Sequence, residues 1–126
     1  MPQTARELAF ELLNWNRRYL LADSKLTTDI IRQRFADIFT VRANGREYPA
    51  NPENYLTFLD GFKKDIAAIN YQITQTVEQS NTVVLCMKAM VNRISGNTDE
   101  FEAMLLLEFD NQGKVTLWHE VYLPRN

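Results

Sequence analysis

The longest apolar runs of the chain lie towards its C-terminal end. TVVLCMKAMVNRIS, FEAMLLLEFD and KVTLWHEVY, within Thr82–Tyr122, are rich in β-branched, aromatic and leucine residues and are separated by Gly96–Glu100 and Asp110–Gly113. Apolar runs bounded by turn residues predict three successive strands. Upstream the period changes. Ala5, Leu8, Leu12, Trp15 and Tyr19 recur every three or four residues behind a Thr4–Glu7 capping box, which predicts a helix over Ala5–Ala22. Thr27 or Thr28 opens a second helix, Asp29–Phe39, with Ile30, Ile31, Phe35 and Ile38 on its apolar side. Asn44-Gly45 is a strong hairpin signal, because a type I′ turn needs two positive φ angles; it predicts paired strands at Thr40–Arg42 and Arg46–Tyr48, ended by Pro49 and Pro52. Asn51 or Asn54 opens a third helix, reaching Ala68, with Tyr55, Phe58, Leu59, Phe62, Ile66 and Ile69 as its buried stripe. Tyr71–Gln79 alternates as a half-exposed strand, with a turn at Ser80-Asn81. The order is α-α-β-β-α-β-β-β-β, an α+β fold in a single domain over residues 1–126.

Composition narrows the function classes. Fourteen basic and sixteen acidic residues leave a net charge of −2, which argues against a nucleic-acid partner. The single cysteine, Cys86, rules out a disulfide within the chain, and its apolar strand makes an inert, buried thiol the expectation. Met1–Glu11 lacks the apolar run of a signal peptide, and Val83–Val91, interrupted by Lys88, is too short to span a bilayer. A cytoplasmic protein with no membrane partner is expected. No His, Cys or carboxylate cluster has metal-ligand spacing, and there is neither GxGxxG nor GxxxxGK[ST], so no metal and no cofactor are expected. His119, the only histidine, reads as structural or interfacial.

The element order resembles the nuclear transport factor 2-like superfamily in its SnoaL-like branch. The resemblance covers nearly the whole chain and rests on the helix pair ending in FADIFTV, the short hairpin, the third helix and the closing FEAMLLLEFDNQGKVTLWHEVY. It implies a cone, in which a strongly curved, mainly antiparallel sheet wraps around three helices and leaves a deep pocket. A cystatin-like arrangement, with one helix on a four-stranded sheet, competes; the two further helices and the Asn44-Gly45 hairpin argue against it. Members of the resembled group include isomerases, cyclases, dehydratases, epoxide hydrolases and non-enzymatic assembly domains, so the resemblance does not choose an activity. The ketosteroid isomerase pattern can be tested by residue. Its tyrosine falls on Tyr19, but its aspartate base falls on Ala43 and its protonated aspartate on Leu105, which cannot serve those roles.

Strand register selects the candidate site. Pairing Phe109 with Lys114 gives Leu107–Thr116, Leu105–Trp118, Ala103–Glu120 and Phe101–Tyr122, so Trp118, Glu120 and Tyr122 face the helices. One extra loop residue would turn His119 inward instead. Pairing Ser95 with Phe101 places Arg93 beside Ala103, and an Arg93–Glu120 couple across the alanine becomes the expectation. Three functions stay open. The pocket binds a small hydrophobic or cyclic ligand, walled by Trp15, Tyr19, Phe62, Met87, Leu105 and Trp118. Alternatively, it catalyses metal-independent acid–base chemistry, with Tyr19 as donor, Glu120 as base and Arg93 stabilising an oxyanion. The third is a dimerisation or assembly module. Met104, Leu106, Val115, Leu117, His119 and Val121 form an apolar outer face, which predicts a homodimer through the convex side of the sheet.

Overall fold

The computed structural model describes residues 3–125. Its elements are α1 (Ala5–Tyr19), α2 (Thr28–Arg32), β1 (Phe35–Ala43), β2 (Arg46–Ala50), α3 (Pro52–Phe62), a 3₁₀ turn (Lys63–Asp65), β3 (Ile66–Gln79), β4 (Thr82–Arg93), β5 (Thr98–Phe109) and β6 (Val115–Pro124). The strands form one curled sheet in the order β2-β1-β6-β5-β4-β3. All neighbours are antiparallel except β1 and β6. The fold is the expected α+β arrangement, with the helices on the inner face.

Local chemistry accounts for the helix ends. Thr4 and Glu7 form the capping box of α1, and Asn51 and Asn54 form another at α3, with Pro52 in its first turn. The first helix stops at Tyr19, not Ala22, because the chain is drawn to the sheet there: Ala22 N–H donates to Ile66 O at 2.8 Å. The carbonyls left behind are met by Ser24 Oγ, which donates to Tyr19 O, and by the buried Lys63, whose Nζ donates to Leu21 O at 3.3 Å and Ser24 O at 2.9 Å. Ala9, Leu12 and Leu13 of α1 are sealed against Val83, Leu85, Leu105 and Leu107. Each such leucine contributes about 1.5–3 kcal/mol by burial.

The other two helices are also shorter than expected, for one reason. Residues 35–39 are strand, because α2 ends at Arg32 and Val115 N–H donates to Arg34 O at 2.8 Å, committing the chain to the sheet. Phe35 and Phe39 both point inward, as residues four apart on a strand do, while Asp37 between them is turned out where the β1–β6 register shifts between Phe35 and Thr40. Likewise α3 ends at Phe62, and Ile66 and Ile69 belong to β3, where a register shift lies between Ile66 and Ala68. A four-residue spacing on one strand and a three-residue spacing across a register shift both imitated a helix. The Asn44-Gly45 turn has positive φ at both residues, as expected. Pro49 lies within β2 instead of ending it, as an edge strand allows.

The closing register keeps its parity but not its partners. Phe109 pairs with Val115, and a bulge then gives Leu107↔Trp118, Leu105↔Glu120, Ala103↔Tyr122 and Phe101↔Pro124. The turn gains one residue and the bulge a second, so Trp118 and Glu120 still face inward and His119 outward. Val115 is a correction: it is fully buried on the inner side. The turn is held by Asp110 Oδ1, which accepts from Gln112 N and Lys114 N, each at 2.9 Å. Lys114 Nζ donates to Arg32 O and Gln33 O at 2.7 and 3.0 Å, closing the end of α2. Between β4 and β5 the turn lies three residues earlier than expected, and Met87, not Arg93, stands opposite Ala103.

Candidate functional site

Between α1, α3 and the inner face of the sheet lies a cavity of about 310 Å³. That is at the small end of ligand sites. Its wall carries Tyr55, Phe58 and Phe62 from α3, Tyr71 from β3, Phe101 from β5, and Trp118 and Tyr122 from β6. Ala43, Ala89 and Ala103 leave the space open between them. Tyr55, Phe58 and Phe62 form a ladder of near-parallel rings, with centroids 5.9 and 6.1 Å apart. It runs from the buried Tyr55 to Phe58 and Phe62, which are 49% and 42% exposed at the mouth.

Glu120 is the acid of this wall. It sits mid-strand, paired with Leu105 on one side and Ala43 on the other. These are the positions at which the ketosteroid isomerase pattern lost its acids, so the carboxylate stands on the strand between them. No basic side chain forms an ion pair with Glu120 among the described residues. Burial pushes its carboxyl up to about 7, against the opposing influence of the Trp118 indole N–H. Burial also raises the hydroxyls of Tyr55 and Tyr71, with Glu120 adding to both, so the tyrosines stay neutral donors. The Tyr71 oxygen accepts from Asn16 Nδ2 at 3.1 Å, which leaves its O–H free to donate.

Arg93 lies at the rim and lines the cavity, but it does not couple to Glu120. Its Nε donates to Asp99 at 2.9 Å and its Nη1 to Asp65 at 3.0 Å, tying the ends of β4 and β5 to the turn after α3. The expected Arg93–Glu120 pair is therefore absent, because the β4–β5 register carries Arg93 away from Ala103. Phe62, Met87 and Trp118 line the cavity, whereas Trp15, Tyr19 and Leu105 do not. Trp15 is core, packed on Tyr19 and Phe35, with its indole N–H lacking a partner among the described residues. Leu105 is fully buried between Leu85 and Glu120. Tyr71 and Asn16 occupy the polar positions expected of Tyr19. Asn16 was legible: it falls at helical spacing from Leu12, Leu13 and Leu20, a polar residue inside an apolar stripe. Among the described residues, no three His, Cys, Asp or Glu converge as a metal site, and no helix is long and apolar enough to cross a membrane.

No protein-family profile matches this sequence, and no curated protein matches it either. Solved structures do. An NTF2-like protein from Anabaena variabilis superposes with a TM-score of 0.72 at 10% identity, over 97% of this chain and 90% of the other. An LEH-like epoxide hydrolase from M. tuberculosis gives 0.69 at 15% identity, over 97% and 86%. A SnoaL-like protein from Jannaschia sp. CCS1 gives 0.66 at 11% identity, over 98% and 88%. The chain has the NTF2-like fold of these proteins, SnoaL-like members included.

Proposed function

We propose that this NTF2-like chain binds a small hydrophobic or cyclic organic molecule in the cavity, with Glu120 as the group that exchanges a proton or a hydrogen bond with it. The observation that carries the reading is one ionisable carboxyl, without a counter-cation among the described residues, set among seven aromatic side chains. Such a wall supplies apolar contact everywhere and direction at a few points. An acid that titrates near neutrality is also matched to proton transfer, which favours metal-independent acid–base chemistry as the activity. In that chemistry Glu120 accepts the proton and the Tyr71 hydroxyl, held by Asn16, donates to the substrate oxygen. Arg93 is already neutralised by two carboxylates and serves to shape the rim. The test is a thermal-shift screen of small cyclic hydrophobes against the wild type and Ala103→Trp, which fills the cavity from its wall. A ligand at a hundred times its Kd stabilises the wild type by about 2.7 kcal/mol. Hits that vanish in the folded Ala103→Trp variant support the cavity; equal shifts in both proteins overturn it.

We infer, too, that the outer sheet face pairs two copies. Met104 and Val121 are cross-strand partners at 60% and 54% exposure, with Leu106 and His119 paired beside them. An exposed apolar pair in mid-sheet favours burial against another surface. Sedimentation equilibrium should show a dimer that Met104→Lys/Val121→Lys converts to monomer; a monomeric wild type at micromolar concentration refutes the pairing.

A further inference from the structure

The charges around the cavity do not balance, and the imbalance has a sign. Among the described residues Arg93 is the one lining cation, and it already donates to Asp65 and Asp99. Among the described lining residues Glu120 is then the one charge that forms no ion pair; Arg17 stands 5.3 Å from the Tyr71 ring centroid without lining the cavity. Asp65 and Asp99 are 65% and 42% exposed on their side chains, so solvent screens them; Glu120 is mostly buried and is screened less. An anionic ligand would enter against this field. A neutral one would leave the carboxylate with the Trp118 N–H but no counter-charge, which is unfavourable.

The rings themselves add a preference. Aromatic faces attract cations, and tryptophan and tyrosine do so most strongly. Trp118 and Tyr122 flank Glu120 at two residues on either side along the inner face of β6, and Tyr55 and Tyr71 face it from α3 and β3. We propose that the cavity selects a positively charged amine, its compact apolar body among the rings and its ammonium against Glu120. This deepens the ligand-site reading above and rests on it. The ammonium would form a charge-assisted hydrogen bond with the carboxylate, and Tyr71 O–H would donate to the same carboxylate or to an acceptor on the ligand.

Matched probes separate charge from shape. Benzylamine, benzyl alcohol and benzoate share one body, and 1-adamantylamine, 1-adamantanol and adamantane-1-carboxylate share a bulkier one. Titration calorimetry at pH 7.5 on the full chain should rank the amine about tenfold or more above the alcohol in the series that fits, with the carboxylate weakest. Glu120→Gln should abolish the amine's advantage over the alcohol. The inference is overturned if alcohol or carboxylate binds as tightly as the amine, or if Glu120→Gln keeps the amine preference; the cavity would still be a ligand site. If none of the six binds the wild type, and the thermal-shift screen also yields no cavity ligand, both readings fall.

Discussion

Replacing Glu120 by glutamine should make the protein more stable, and only at the higher pH values. The unfolded carboxyl titrates at its ordinary 4.5 and the folded one at about 7. Between those values the folded state holds the proton more tightly, so wild-type stability falls as pH rises through that window. Below 4.5 the group is neutral in both states and costs nothing; above about 7 the full cost of a buried charge is present. At about 1.4 kcal/mol for each pH unit, the gap from 4.5 to about 7 is roughly 3 kcal/mol, an upper figure because the mouth admits some water. Glutamine keeps the shape of the neutral acid and never ionises. The charged and titratable groups nearby do not compete: Tyr55 and Tyr71 stay neutral, Arg93 is held by Asp65 and Asp99, and His119 faces the other side of the sheet. The difference between variant and wild type should be near zero at pH 4 and should level off above pH 8. For a domain of this size it corresponds to a Tm rise on the order of 10 °C. Calorimetric melting from pH 4 to 9 checks this. A difference that is flat with pH, or a wild type more stable than the variant at pH 8, would refute the buried, unpaired carboxylate.

Two further perturbations probe the frame of the site. Asn16→Ala strips the partner from a buried tyrosine oxygen and should cost about 1–3 kcal/mol in urea unfolding, whereas in a Tyr71→Phe background it should cost clearly less. Gly113→Ala should destabilise by about 1–2 kcal/mol, since its φ is +78° and a Cβ would meet Leu8 Cδ2 at 3.2 Å. Gly61→Ala, in α3 with open space around the new methyl, should stabilise by about 0.5–1 kcal/mol in the same assay.

The order of elements was legible because caps, turns and periodicity are local signals. Thr4, Asn51 and the Asn44-Gly45 pair act within a few residues of themselves, and the structure uses each as the chain alone suggests. What failed depends on distant partners. Phe35 and Phe39 lie four apart, a spacing that strand and helix share, and Ile66 and Ile69 lie three apart because β4 shifts register beside them; nothing within a short window separates these cases from a helix. The site divides the same way. Inward orientation of Trp118 and Glu120 depends only on parity, which survived. The placement of Arg93 depends on absolute register: the turn after β4 came three residues early, displaced every pairing by six, and removed the arginine from Glu120. Tyr71 was missed as a site residue because a strand that alternates does not say which end of the cone it crosses.

The irregularity between Glu108 and Phe109 gives the cavity a stepped adjustment, like a vernier on a slide. An insertion of one residue at the β5–β6 turn alone would exchange the inner and outer faces of β6 and wreck both. Paired with a bulge, it slides β6 along β5 by whole pleats, about 7 Å for two residues, and the same side chains still face inward. Chains of this shape can thus move an acid deeper or shallower in the cone without choosing a new inner face. Depth of chemistry and identity of the wall become separately variable, and only changes of two residues in register across 108–116 would move Glu120 past Leu105 with the same face of β6 still inside.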